Sequence, residues 1–584
     1  MRAIFLFANF SAFQPISVSP LFSSFFYGFR LDIIPTTYVT CGVFLLTFFF
    51  KKPRIRILLL SVFGITTALL GIIDALYFSI LKNHLSADIF WQLKGDNNIS
   101  PMVYIQDYWP FFILFVAISV TFVLILRRIN QVTNATQKFW HLAIFILCFF
   151  GLARGFQKKP YRSANVGQYL AEPYLSLAMN TPLYLLETYQ NPINIPDFAK
   201  GIAPKYDFSQ TLIDTLPINY NYVIIILESF GKEYTAFNHN WITSYTPNLD
   251  KLMDSSVCFT NAYANGLKSM DAVPAIFCGI PRLSNSPFIN SPLSAKPANS
   301  ILQELKKQGY TSLFFHGADN NSMGFQTFLT TNGLDFYFGK DEYDGGKSGI
   351  DGFWGIYDHA MFDFAQRQIS VQKEPFIAGI FTLTSHHPYP IPDQFKNTFP
   401  KGNLDIHESI GYTDFALRSF LDSCKKQPWF DRTIFIITAD HSAENTVHAF
   451  RTFSGKYEIP MLIYAPKILT PKVIDQTVSQ IDIFPTVLSM NNRSVGYNLL
   501  GNDMLSMSER PVCHYDNQLY SITLGNWNLL MNDAKPLFLY DRKNDPNCVV
   551  NLLNEYPEKA KELEEMLKQK VANYHHYIKP NALQ

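Results

Sequence analysis

Three short segments carry residue types that can hold a cation and a phosphate. Glu228 directly follows the apolar run Tyr222–Leu227 (YVIIIL). Ala439, Asp440 and His441 directly follow a second run, Thr433–Thr438 (TIFIIT). A cation needs several converging donors, and these two segment ends supply two carboxylates and an imidazole. The third segment is Gly266-Leu267-Lys268-Ser269-Met270-Asp271, ahead of a helical pattern that runs to Phe277. Ser269 then reads as a helix N-cap, where free amides and the helix dipole favour a phosphate. A cation at the same point would lower the hydroxyl pKa and make it a nucleophile. Each residue alone is read equally well as a helix cap; together they point to a metal-bound serine.

Positioning them requires strands that end at one edge. The two apolar runs are β-branched and uninterrupted, as in strands buried on both faces. Phe376–Leu383 and Pro460–Tyr464 are further strand candidates, with helical stretches between, such as Ser300–Gln308 and Tyr412–Lys426. This alternation predicts a mainly parallel α/β sheet whose site lies beyond the carboxyl ends of its strands.

The rest of the chain is different in kind. With 584 residues, 48% of them hydrophobic and 52 of them Phe, it exceeds a single ordinary domain. Apolar runs concentrate in the first 155 residues, at about 3–26, 33–50, 57–80, 109–127 and 139–155, each near the ~20 residues that cross a bilayer as a helix. Run 3–26 is interrupted by Pro15 and Pro20 and lacks a signal-peptide cleavage pattern. Lys51, Lys52, Arg54 and Arg56 lie in one loop, and Arg127, Arg128 and Lys138 in another. If both are cytoplasmic, five crossings place everything after Gly155 on the outer face. Arg154, Lys158 and Lys159 oppose this at the last exit. Asp74 falls inside the third run, as a functional carboxylate or as one hydrogen-bonded within a bundle. Residues 156–220 read as a connector, with Val166–Tyr189 as a surface-lying amphipathic helix or a plain linker. The expected division is 1–155 membrane, 156–220 juxtamembrane and 221–584 extracytoplasmic.

A net charge of +1 and no basic stripe argue against nucleic acid. The seven cysteines are widely spaced, with no CxxC, and form neither a disulfide framework nor a zinc cluster.

The motifs NYVIIILESF (221–230), YTPNLDKL (245–252), ANGLKSMDAVPAIFCGIP (264–281), FFHGADNNSMGF (314–325), LTSHHPY (383–389), ITADHS (437–442) and VSQIDIFPTVL (478–488) resemble the lipoteichoic acid synthase and phosphoglycerol transferase family, sulfatase-like enzymes of the alkaline phosphatase superfamily. The resemblance implies one divalent cation, Mn²⁺ first, with Mg²⁺ or Zn²⁺ as alternatives, held by Glu228, Ser269, Asp440 and His441. It implies His386 at the phosphate or leaving group, with His387 as competitor for that role. His316 matches a further active-site histidine, and Lys268 precedes the nucleophile as in the synthases. Trp354 belongs to a motif that shapes the pocket edge. It implies an anionic phospholipid donor and a glycan or polymer acceptor, at the cell membrane. Two departures stand out. The nucleophile is serine where many synthases have threonine. After His316 the acid, tryptophan and arginine that hold glycerol phosphate are replaced by Gly317–Phe325, with Asp319 standing in for the acid at most. Phosphoglycerol therefore leads as the transferred group. A phosphoethanolamine transferase, a phosphodiesterase of the same superfamily and a non-catalytic lipid sensor stay open. A formylglycine sulfatase does not fit, because Asp271 and Val273 occupy the positions its Pro and Arg would need.

Overall fold

The computed structural model describes residues 1–14, 16–50, 53–81, 84–85, 87, 89, 108–132, 166, 170, 173–190, 195–206, 219–237, 244–295, 297–320, 322–493, 495, 497–506 and 509–578. The chain divides into two compact units. One comprises Met1–Ile89, Ile99–Pro192 and Asn517–Leu519; the other Phe90–Asn98, Ile193–Asp516 and Tyr520–Gln584.

The first unit is helical, with helices Arg2–Ala8, Val18–Phe50, Pro53–Leu81, Trp109–Val132, Tyr174–Ala178 and Thr181–Gln190. Two spans within it, Arg54–Ser79 and Trp109–Arg128, are long and apolar enough to cross a membrane. The expected run 139–155 lies outside the described residues. Runs 3–26 and 33–50 do not form two helices separated by a loop at 27–32. Instead one helix of 33 residues, Val18–Phe50, passes through that region. Pro20 sits in its first turn, where no N–H bond is lost. Asp32, in that region, pairs with Arg2 and accepts from Asn180 Nδ2 at 2.7 Å. Within the stretch Val166–Tyr189, Leu175, Leu177 and Ala178 are buried in this unit, while Leu186 and Tyr189 are exposed. Asp74 is buried as well. It accepts from the Leu85 amide at 2.6 Å and the Thr181 hydroxyl at 2.8 Å, and its Oδ2 lies 2.9 Å from His84 Nδ1.

The second unit is built on an eight-stranded sheet: β1 (Asn221–Leu227), β2 (Val257–Tyr263), β3 (Thr311–His316), β4 (Phe336–Phe338), β5 (Phe376–Phe381), β6 (Thr433–Ala439), β7 (Met461–Tyr464) and β8 (Lys472–Ser479). Their spatial order is β4-β3-β5-β1-β6-β7-β2-β8. Only β7 runs antiparallel to its neighbours, β6 and β2; the other pairings are parallel. Seven strands therefore end at the same edge. β1 and β6 are buried along their whole length, which is why both read as continuous apolar runs. Helices such as Ile301–Lys306, Asp358–Ser370, Ile406–Cys424 and Ile483–Met490 turn their apolar residues into the shared core. A four-stranded antiparallel sheet, ordered β12-β11-β10-β9, follows: β9 (Val512–Asp516), β10 (Leu519–Leu524), β11 (Trp527–Met531) and β12 (Pro536–Asp541). The helix Pro557–Tyr577 closes the unit. Its Asn573 exchanges bonds with the backbone of Lys205, at 2.9 Å to its Oδ1 and 2.6 Å from its Nδ2.

Candidate metal and nucleophile site

The register of the parallel strands brings the candidate residues into one row. Leu227 pairs with Ala439, Ile226 with Phe381, and Phe381 with His316. The residues that follow, Glu228 after β1 and Asp440-His441 after β6, leave the sheet side by side. The backbone bonds continue one step further: the Asp440 amide donates to the Leu227 carbonyl at 3.1 Å and the Thr382 amide to that of Ile226 at 3.0 Å. Ser269 arrives from the neighbouring region, after β2 and a five-residue loop, at the start of the helix Ser269–Cys278.

Glu228, Asp440 and His441 form a buried triad whose ligand atoms lie within 4.8 Å of one another. The Ser269 hydroxyl donates to Glu228 Oε2 at 3.2 Å and lies 3.4 Å from His441 Nε2. His441 Nε2 is also 3.2 Å from Asp440 Oδ2. The N-cap of the helix is Lys268 rather than Ser269, with no side-chain cap bond. The serine hydroxyl has turned away from the helix amides toward the triad.

Neighbouring groups aim the donors. His441 Nδ1 donates to the Ser442 carbonyl at 2.8 Å, which leaves Nε2 with its lone pair facing the cluster. Ser229, at φ +57°, donates its amide to Asp440 Oδ1 at 2.7 Å and its hydroxyl to Glu228 Oε1 at 2.7 Å. Thr382 Oγ1 accepts from the Glu228 amide at 2.9 Å.

The electrostatics are those of a site short of positive charge. Burial, then the neighbouring Asp440, pushes the Glu228 carboxyl up to about 7. Burial also pushes Asp440 up to about 7, against the bonds it accepts. Asp440 Oδ2 is buried without a hydrogen-bond partner. An orphaned carboxylate oxygen, a second carboxylate, a lone-pair imidazole nitrogen and a hydroxyl, converging on one point, fit a divalent cation.

The other predicted residues divide into two groups. His386 is brought to the cluster: it lies close enough to feel Glu228 and His441, and burial holds its pKa below the usual value. Its Nδ1 donates to the His387 carbonyl at 3.1 Å. Trp354 packs on its ring with centroids 4.2 Å apart, and donates from Nε1 to the same carbonyl at 2.6 Å. His316, at the end of β3, is fully buried among Phe325 and Phe381, and burial holds its pKa down to about 3. Its Nε2 has no hydrogen-bond partner. Lys268 is buried next to Ser269. His387 turns its ring toward Tyr389 instead, with centroids 5.5 Å apart. Asp319 pairs with Lys340 at 3.3 Å and is partly exposed.

Sequence reasoning gave no role to the residues that hold the segments in place, although it placed Asp358 downstream of Trp354 in one motif. Asp358 accepts from the Leu383 and Thr384 amides at 2.7 and 3.0 Å and from the Thr413 hydroxyl at 2.6 Å, pinning the segment that leads to His386. Thr382, Ser229 and Gln480 serve similarly. Ser229 and Gln480 lie in the quoted NYVIIILESF and VSQIDIFPTVL motifs, but apart from the Ser229–Glu228 bond their partners are distant in sequence.

Comparison with known proteins agrees with this architecture. Residues 220–492 match the Sulfatase family model. A lipoteichoic acid synthase-like protein of Bacillus subtilis is 24% identical over 290 residues, 46% of this chain and 46% of that protein. Phosphoglycerol transferase I of Escherichia coli is 28% identical over 275 residues, 43% of this chain and 34% of that protein. The chain thus spans half or less of the length of these curated relatives. Among solved structures, a protein of the alkaline phosphatase superfamily from Vibrio parahaemolyticus superposes with TM-score 0.56 at 24% identity, covering 67% of this chain and 95% of that one. The lipoteichoic acid synthase LtaP from Listeria monocytogenes superposes with TM-score 0.55 at 18% identity, covering 65% and 96%. Residues 220–492 thus match the Sulfatase family model and share the fold of these solved structures, and the chain is similar in sequence to lipoteichoic acid synthases and phosphoglycerol transferases.

Proposed function

We propose that this chain is a metal-dependent transferase that moves a phospholipid headgroup, phosphoglycerol first among the candidates, through a covalent intermediate on Ser269. The carrying observation is the Ser269 hydroxyl 3.2 Å from Glu228 and 3.4 Å from His441, beside an Asp440 oxygen with no partner. Glu228, Asp440, His441 and Ser269 would hold one divalent cation, with Mn²⁺ the leading ion and Mg²⁺ or Zn²⁺ alternatives. Such an ion supplies charge neutralisation at phosphate and a lowered hydroxyl pKa.

The residues do the rest. Ser269 Oγ attacks the donor phosphorus, the bond from phosphorus to the diacylglycerol oxygen breaks, and the headgroup phosphate stays on Ser269. An acceptor hydroxyl, on a glycan or growing polymer, then attacks the same phosphorus and Ser269 Oγ departs. Protons close in each half: Ser269 loses one and diacylglycerol gains one; the acceptor loses one and Ser269 regains it. His386, its Nδ1 bound to a carbonyl, presents Nε2 to hold that proton at the leaving or entering oxygen. His316 and Lys268 line the phosphate region, with Asp319, His387 and Trp354 toward the substrate.

The division 1–155, 156–220 and 221–584 and a multi-pass anchor complete the reading. On Trp109–Val132 the residues Phe112, Ile113, Val120, Leu124 and Ile125 are exposed, an apolar surface suited to lipid. With Val18–Phe50 as one helix, four crossings rather than five satisfy the two basic loops. The catalytic domain still falls on the outer face, because those loops set the orientation.

The test is headgroup release from phosphatidylglycerol vesicles. Ser269→Ala abolishes release while the domain keeps its fold. Undiminished release by that variant would sink the mechanism. The mass added to Ser269 in wild type, after mixed phospholipids are supplied, identifies the headgroup; phosphoethanolamine there would favour the second transferase reading.

A further inference from the structure

The Ser269 loop and the Asp440-His441 strand end belong to different parts of the sheet, so something must fix the distance between them. β6, which delivers Asp440, is separated from β2, which delivers Ser269, by β7. One buried side chain crosses that gap. Gln480 Nε2 donates to the carbonyls of Ala439 at 2.7 Å and Asp440 at 2.8 Å. Its Oε1 accepts from the Asn265 amide at 2.8 Å. The connection is doubled, because Asn265 Oδ1 accepts from the Ile481 amide at 3.0 Å.

The tie continues around the nucleophile. The Asn265 carbonyl accepts from the Arg282 amide at 3.1 Å. Arg282, itself buried, pairs with Asp271 at 3.2 Å, two residues beyond Ser269. Its Nε and Nη2 reach the carbonyls of Ser284 and Asn285 at 3.3 and 3.1 Å. Gly266 lies against Asp271 so closely that a Cβ there would overlap the Asp271 side chain. The loop is thus gripped four residues before the serine and two residues after it.

We infer that Gln480, with Asn265 and Arg282, is a positioning residue that sets Ser269 Oγ against Asp440 and His441. This deepens the proposed function and rests on its assignment of Ser269. The bonds of the Gln480 side chain go to backbone groups, not to the donor atoms of Glu228, Ser269, Asp440 and His441. It acts on the peptide that carries Asp440 and on the loop that carries Ser269. The glutamine's amide has all three of these bonds inside a dry interior, where loosening one end leaves carbonyls or an amide without a partner. Groups that orient ligands from behind in this way are worth about 10–100-fold in metal affinity or activity. Small misplacements of a nucleophile cost similar factors.

The experiment uses the full chain in detergent. Gln480→Met keeps the volume and removes the bonds; Asn265→Ala removes the partner's side chain. Two readouts are taken: Mn²⁺ affinity by titration, and kcat and KM for headgroup release from phosphatidylglycerol. The expected result is a 10–100-fold weaker Mn²⁺ affinity and a similar fall in kcat, with KM for the donor within about twofold. The double variant is expected to lose little more than Gln480→Met alone, because the two act as one unit. Arg282→Lys, which keeps the charge at Asp271, lowers kcat less. Unchanged Mn²⁺ affinity in Gln480→Met, or losses that multiply in the double variant, would overturn the inference. The Mn²⁺ readout does not depend on the donor: wild type that binds Mn²⁺ tightly yet releases no headgroup refutes the proposed function and leaves the tie judged on affinity. Should Gln480→Met not fold, Asn265→Ala and Arg282→Lys decide the matter on the same two readouts.

Discussion

Two buried carboxylate sites in this chain look alike in sequence and differ in chemistry. Asp74, in the helical unit, accepts from a backbone amide and a threonine hydroxyl and faces a histidine nitrogen. Its burial is compensated within the fold. Glu228 and Asp440, at the strand ends, are buried against each other, and one Asp440 oxygen has no hydrogen-bond partner. Their burial is compensated only if something positive arrives. A satisfied carboxylate holds a structure together; an unsatisfied pair is a place for an ion.

The comparison breaks most sharply at Asp440. Asp440→Asn should cut headgroup release by at least about 10³-fold, as expected when a transition-state charge contact is removed. It should also raise the ion-free melting temperature by about 2–4 °C, since like-charge repulsion with Glu228 is relieved, on the order of 1 kcal/mol for a domain of this size. A melting temperature that falls would make Asp440 a structural residue like Asp74.

Asp74→Ala is the converse. It strands the Leu85 amide, Thr181 and His84, and should destabilise the helical unit by about 2–4 kcal/mol, read by thermal melting in detergent. Mn²⁺ affinity at the sheet should not change. A loss of affinity would show that the two sites are not independent.

The pH dependence sharpens the same contrast. Glu228 and Asp440 sit at about 7, above the ordinary carboxylate range. Raised carboxyls favour the neutral form, so this pair's contribution to ion-free stability is full below the unfolded pKa values near 4 and is lost as pH rises through about 7. A cation must displace those protons. Mn²⁺ affinity should therefore be flat above pH 7 and fall below it, about tenfold per pH unit for each proton displaced. An affinity independent of pH between 5 and 8 would contradict this, and calorimetry in buffers of different ionisation heat counts the protons directly.

The smallest effect concerns His386. Trp354→Phe keeps the ring contact but removes the bond to the His387 carbonyl. We expect a fall in kcat of about 3–10-fold, near the cost of one net hydrogen bond. A change in KM alone would show that Trp354 acts by contact with substrate and not through His386.

Much of the sheet was legible because burial on both faces leaves no polar alternation to confuse the reading: Tyr222–Leu227 and Thr433–Thr438 lie within β1 and β6 almost to the residue. β2 was not read, because Thr260 and Asn261 interrupt its apolar run; in the fold they bond to Asp475 at its edge with β8. The antiparallel sheet from Val512 to Asp541 also escaped, since Asn528 and Thr523 occupy buried positions and bond to each other at 3.0 Å. At the site, Glu228, Asp440 and His441 were legible because strand ends mark themselves. Ser269 was legible as a metal-bound serine only jointly with them, and was placed at the N-cap, since its turn toward the triad depends on residues about forty and one hundred and seventy positions away. Gln480 gave no signal of its own, because all its partners are backbone groups.

The bond pair between Lys205 and Asn573 has a consequence for movement. Residues 195–206 are sewn to the helix Pro557–Tyr577 before the first strand begins. Shortening the chain from its far end would therefore release residues 195–206 as well as remove the helix.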